Sequence, residues 1–349
     1  MFLNRSECQV LRGLAILSIV LHNFSHFLKW AAHENEFYFF PENDAYFYNH
    51  VISLKFVAHF FSYYGHLGVP VFVFLTGYGL TVKYSNNREQ FVGWVSFIVS
   101  HFKKLFSPML IGVISFYVIY YLLNARLWDG WLVSLSTQLT MTSNLLPHPN
   151  FVIHPGPYWY FGLTMQLYVL YSFVIYKRKT YVFIFIVLVS FFLLLLLKSH
   201  YYLLVWFKYN FIGWLLPFAG GIVMGNIQSQ SHVIKNRCIW GGIIAVSASI
   251  ILWSGGWYYT WLMIPVFSVL FFIGICKLLT GCAYKACMFL GDISMFIFVV
   301  HPIVREIVLT LMPFSQWYVN LFLYFMGVVL CSLFFSRVYS KVERHLVAK

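Results

Sequence analysis

The chain has 349 residues, of which 61% are hydrophobic, 21% aromatic and only 9% charged. Soluble domains run near 25% charged, so a soluble chain of this size would leave far more apolar surface than it could bury. The surplus must face lipid. The net charge of +13 does not point to a nucleic-acid partner, because it is partitioned along the chain in a way that membrane topology explains.

A helix needs roughly 20 apolar residues to cross a bilayer. Ten segments meet or approach that length, predicting an all-α, polytopic membrane protein with about ten transmembrane helices. In chain order they are 10–28, 66–82, 105–123 (after an amphipathic approach from Phe91), 158–176, 181–197, 211–227, 239–254, 259–275, 288–308 and 317–338. The aromatic stretches 51–63 and 128–141 are too short for spans and read as interfacial or re-entrant helices. With the N-terminus in the cytoplasm, the inside receives Arg5, Arg12, Lys83, Arg88, Lys103, Lys104, Lys177, Arg178, Lys179, Lys235, Arg237, Lys277, Lys285, Arg337, Lys341, Arg344 and Lys349. The outside receives Lys29, Lys55, Arg126, Lys198 and Lys208. This positive-inside pattern places both termini in the cytoplasm. No cleavable signal peptide is visible, and the six cysteines fall inside spans or on the inner side, which argues against a disulfide framework or a cysteine metal site.

One domain is expected over 1–349, without internal repeats. The two longest loops, 29–65 and 124–157, lie outside. Long loops in a compact protein are usually functional, and these are rich in histidine, proline and aromatics (HENEFYFFPENDAYFYNH and PHPNFVIHPGPYWY). They read either as an interfacial aromatic belt or as a platform for sugar rings.

Polar residues inside spans are costly and are functional candidates by default. His22 lies past the middle of the first span, toward the outside. Arg12, ten residues earlier and about 15 Å along a helix, lies at the inner interface. His66 opens the second span. Tyr158, Trp159 and Gln166 lie on the fourth, and His301 and Arg305 are four apart on the ninth, hence on one helix face. Topology brings the outer candidates to similar depth, where they are able to converge in one outward-facing cavity. A histidine near neutral pKa suits proton removal from a hydroxyl attacking a thioester. Arginine, with Lys83 or Lys103, suits the phosphates of a nucleotide-like carrier. The Arg12–His22 separation matches a long pantetheine arm.

Four segments carry a resemblance. LRGLAILSIVLHN (11–23), GHLGVPVFVFLTGYGL (65–80), YWYFGLTMQLYVLY (158–171) and LGDISMFIFVVHPIV (290–304) resemble, in order, the motifs of the membrane-bound acyltransferase 3 family. The resemblance implies O-acyl transfer, usually acetyl, from cytoplasmic acyl-CoA to a hydroxyl of a cell-surface glycan or lipid-linked saccharide, in a multi-pass protein of the cell's inner (plasma) membrane. His22 matches the essential histidine, Arg12 the first-helix basic residue and His301 the late histidine. His22 and His301 are therefore the expected catalytic residues. Arg12, Lys83 and Lys103 are expected to bind the donor, and His66, Tyr158, Trp159, Gln166 and Arg305 the acceptor. No metal is expected.

Two departures stand out. Nine residues separate Arg12 from His22 where the family has ten, which turns the two about 80° apart on a regular helix. Thr164 replaces an acidic residue. No fused esterase-like domain follows the spans. Two other classes compete. A transporter or flippase for lipid-linked glycans predicts internal repeats, which are not seen. A glycan polymerase predicts several loop arginines gripping a diphosphate, and only Arg126 is present.

Overall fold

In the computed structural model, residues 2–85, 93–176, 180–227, 236–312 and 316–347 are described. Among the inner-side cations of the charge pattern, Arg88, Lys177, Arg178, Lys179, Lys235 and Lys349 lie outside this set. The described residues are mostly helical, with no strand among them. The helices are α1 (Arg5–Ser25), α2 (Pro41–Asn49), α3 (Phe56–Tyr64), α4 (Val69–Ser85), α5 (Trp94–Asn124), α6 (Trp131–Leu139), α7 (Pro149–Val152), α8 (Trp159–Leu170), α9 (Thr180–Leu196), α10 (Tyr201–Tyr209), α11 (Leu215–Ile227), α12 (Arg237–Ser254), α13 (Tyr258–Trp261), α14 (Ile264–Leu278), α15 (Gly281–Asp292), α16 (Ser294–Leu311) and α17 (Trp317–Val347).

Seven helices among the described residues are long and apolar enough to cross a membrane, or eight if the bent pair α10–α11 counts as one span. Each of the ten expected spans contains a helix, but they are not ten equal rods. The fourth is a twelve-residue helix, α8, continued by a π-helical turn over Tyr171–Ile175. The eighth is the fifteen-residue α14. The sixth, α11, is preceded by α10 at an angle of 72°. The ninth is two helices, because α15 ends at Asp292 and α16 begins at Ser294. The stretch read as an interfacial or re-entrant helix over 51–63 instead supplies α3, the first part of the second span. Residues Phe56–Tyr84 run as one 29-residue candidate span. Hydropathy alone does not see these breaks, since apolar residues continue across them.

The first helix is the axis of the fold. A capping box starts it: Asn4 Oδ1 accepts from Glu7 N–H and Glu7 Oε2 accepts from Asn4 N–H, both at 2.8 Å, which satisfies two otherwise orphaned donors. The other oxygen, Glu7 Oε1, holds Lys277 Nζ at 2.6 Å and so ties this end to α14. The helix then packs on α15, α16, α3 and α4. Small residues permit the closest approaches, as membrane helices require. Gly13 lies against the Cys287 carbonyl and Gly291 against the Gln9 carbonyl, so a methyl at either would collide with backbone. The α4–α11 pair is built the same way, with Gly77 on Phe218 and Gly221 on Phe74.

Candidate active site

One cavity of about 590 Å³ runs along α1 between α4, α8 and α16. Arg12 lines the end nearer the start of α1, the inner end if the N-terminus is cytoplasmic, with Asp292, Ser294, Thr76, Thr164 and Tyr168. His22, His26, Glu34, Glu36, His66, Trp159 and Arg305 line its outer end. The helix presents Arg12, Ile19, His22, Asn23 and His26 to it. At about 100° per residue these five span a stripe about 100° wide, with His22 at one edge and Asn23 at the other. The missing residue between Arg12 and His22 is thus accommodated by a wide cavity. The helix itself is regular from Arg5 to Ser25.

His22 is buried, and its Nδ1 lies 3.2 Å from the Phe61 carbonyl oxygen. A carbonyl only accepts, so Nδ1 carries the proton and Nε2 keeps its lone pair. The Gly65–Gly68 turn between α3 and α4 holds this arrangement. Ser18 Oγ donates to the Gly65 carbonyl at 2.8 Å, and a Cβ on Gly65 would stand 2.6 Å from His22 Cβ. The same turn carries His66, whose ring centroid is 5.6 Å from that of His22, edge to face.

The loop after α1 folds back over the cavity and brings in two carboxylates that the motif reading did not include. Glu34 Oε2 is 2.5 Å from His26 Nδ1, and the His26 ring stacks on His22 at 5.5 Å. Burial works against the Glu34 charge, but the neighbouring His26 and His22 imidazoles and a backbone hydrogen bond together outweigh it and hold the carboxyl down at about 2. Glu36 is buried too, and its Oε1 has no partner among the described residues. Burial, and then the Glu34 charge, push its carboxyl well above the usual range, against the pull of Lys208. Asn35 sits between the two and anchors the loop. It exchanges hydrogen bonds with the Phe40 backbone at 3.0 and 3.2 Å, accepts from Asn43, and its carbonyl accepts from Trp261 Nε1 at 2.7 Å. The signal available in the sequence was scarcity: ten acidic residues occur in 349, and two flank one asparagine in an aromatic loop.

The ligand atoms of His22, His26 and Glu34 lie within 4.8 Å of one another, a two-histidine, one-carboxylate set able to hold a divalent cation. Two of the three already form the His26–Glu34 ion pair. Aromatic rings complete the outer wall. Phe37 lies flat on Tyr209 at 4.1 Å and 10°, and edge-on to Trp159 at 5.2 Å.

Of the ten expected site residues, the cavity thus gathers Arg12, His22, His66, Trp159 and Arg305. The other five lie off its wall. Tyr158 is buried and its hydroxyl donates to the Val299 carbonyl at 2.7 Å, so it pins α8 to α16 where an acceptor platform was expected. Gln166 donates to Asn210 Oδ1 at 2.7 Å and accepts from Phe211 N–H at 3.0 Å, which fixes the bend before α11. Lys83 leans over the Tyr84 ring at 4.9 Å, and Lys103 is exposed on α5. His301 is 0% exposed, with Nδ1 3.2 Å from the Ile297 carbonyl and its ring 5.7 Å from Phe298, which does line the cavity. It stands behind the wall. Tyr158 and Trp159 are adjacent in sequence and face different directions, as neighbouring helical residues do.

Fold and cavity together define a multi-pass helical membrane protein with a histidine- and carboxylate-lined chamber reaching toward Arg12. The chain belongs to the acyltransferase 3 family, whose model, an acyltransferase domain, matches residues 6–337. No curated protein and no solved structure matches it.

Proposed function

We propose that this protein is an integral-membrane O-acyltransferase of the inner (plasma) membrane, with both termini cytoplasmic. It passes an acyl group, most simply acetyl, from cytoplasmic acyl-CoA to a hydroxyl of a surface glycan or lipid-linked saccharide. The observation that carries this reading is that Arg12 and His22, about 15 Å apart along α1, line one continuous cavity. Arg12 at the inner end is suited to the donor's phosphates, and the chamber then leads the pantetheine arm toward His22.

In the mechanism, His22 Nε2 takes the proton of the acceptor hydroxyl as its oxygen attacks the thioester carbonyl. The tetrahedral intermediate collapses with cleavage of the C–S bond. The departing thiolate then recovers the proton from the His22 imidazolium, so that ester and free thiol leave a neutral histidine. Glu34, joined to His26, supplies negative charge beside the imidazolium as it forms. Phe37, Trp159 and Tyr209 offer the flat apolar faces on which a sugar ring stacks. Mass spectrometry of surface glycans from cells with and without the gene tests the reading. Unchanged acyl content under conditions where the gene is expressed overturns it.

A further inference from the structure

Arg305 is an unusual occupant of the outer cavity. It is 4% exposed, and no ion pair joins it to a carboxylate among the described residues. Its Nη1 donates to the neutral Asn23 Oδ1 at 3.2 Å, and its Nε is buried with no partner among them. The guanidinium carbon lies 3.8 Å from the centroid of the Phe27 ring. Asn23, Phe27 and Arg305 all line the cavity.

Several charged residues in or beside the chamber already have other contacts. Glu34 is paired with His26 and Asp292 accepts from Gln9. Lys208 rests on the rings of Trp261 and Trp214 at 4.8 and 5.0 Å. A buried charge without a counter-ion is strongly unfavourable, and a guanidinium is the side chain best suited to a carboxylate or phosphate through charge-assisted hydrogen bonds.

We infer that the acceptor carries an anionic oxygen group, a carboxylate or a phosphate, near the hydroxyl that is acylated, and that Arg305 is the residue that binds it. The inference rests on the acyl-transfer reading only in taking this cavity as the acceptor's. A guanidinium that served the reaction's oxyanion alone would leave ground-state binding of anionic and neutral sugars equal.

The test is therefore binding without donor, using the full chain in nanodiscs and saturation-transfer NMR with glucuronate, glucuronate methyl ester, glucose 1-phosphate and glucose. The expected result is that glucuronate or glucose 1-phosphate binds about tenfold or more tightly than glucose, the gain typical of one charged hydrogen-bonded pair. Whichever anion is preferred identifies the group. If it is glucuronate, the methyl ester loses the preference. Arg305→Gln abolishes the preference, Arg305→Lys keeps part of it, and His22→Ala keeps it while losing acyl transfer. Equal affinities in the wild-type protein, no saturable binding of either anion, or a preference that survives Arg305→Gln overturns the inference. Because no acyl donor is present, these outcomes are separate from failure of the acyl-transfer reading.

Discussion

His26 and Glu34 meet at 2.5 Å directly above the His22 ring, and this contact joins the end of α1 to the loop that covers the cavity. It makes the loop part of the cavity wall, and in the proposed mechanism it sets a negative charge near the His22 imidazolium. Glu34→Gln keeps the shape and removes the charge. Transfer is expected to fall by about 10- to 100-fold, the equivalent of losing a charge-assisted hydrogen bond of about 1.5–3 kcal/mol. Steady-state rates on purified protein check this. A rate within twofold of wild type would remove Glu34 from the mechanism.

Replacing His22 with Ala is expected to lower the transfer rate by about 10²- to 10⁴-fold, the usual contribution of a general base, with protein still in the membrane fraction. Arg12→Gln should act differently, raising KM for acyl-CoA by about tenfold or more with a smaller change in kcat. Equal effects of both variants on kcat would contradict the division of the cavity into donor and transfer ends.

The two loop carboxylates give opposite pH dependences. Glu34 is depressed to about 2 from an ordinary value of 4.5, so the stability it contributes is full above about 4.5 and is lost as pH falls toward 2. Glu36 is raised, so its protonated form is favoured in the fold. Its contribution is present below about 4.5 and is lost as pH rises through the elevated value. Glu36→Gln should therefore raise the thermal midpoint at neutral pH, and Glu34→Gln should flatten the acid limb. Thermal melts between pH 3 and 8 measure both, and a lower midpoint for Glu36→Gln at pH 7 would contradict the assignment.

Gly65 is where the turn touches the α1 backbone. A methyl there would sit 2.6 Å from His22 Cβ and 2.9 Å from the Ser18 carbonyl oxygen, both on one helix with little freedom to yield. Gly65→Ala is expected to cost about 1–3 kcal/mol as an overpacking change and to displace His22, lowering activity even in protein that remains folded. Wild-type activity with an unchanged melting midpoint would show that the turn tolerates the shift.

Adjacent Tyr158 and Trp159 should separate cleanly. Tyr158→Phe removes the hydrogen bond to Val299 and should lower stability by about 1–2 kcal/mol while leaving KM for the acceptor within about twofold. Trp159→Leu alters the cavity wall and should raise that KM. A matching rise for Tyr158→Phe would return the tyrosine to the acceptor site.

The sequence by itself determined the solvent and the helical class, and it singled out Arg12 and His22, which line one cavity. With 9% charged residues no aqueous fold is available, and a bilayer leaves helices as the structure for long apolar segments. His22 and Arg12 stood out because polar groups on an apolar helix are expensive, and their separation along one helix follows from rise per residue. The covering loop was readable only as a composition, and five expected site residues lie off the cavity wall. Whether a side chain such as Tyr158 or Trp159 faces a cavity depends on which neighbouring helix it meets, and one residue of offset turns it about 100° away. Glu34 reaches His26 because Asn35 is tied to Phe40, Asn43 and Trp261, the last 226 residues away along the chain. No local pattern encodes that contact. The tertiary structure thus added Glu34 and Glu36 to the site and left His301, Tyr158, Gln166, Lys83 and Lys103 outside the cavity that Arg12 and His22 share.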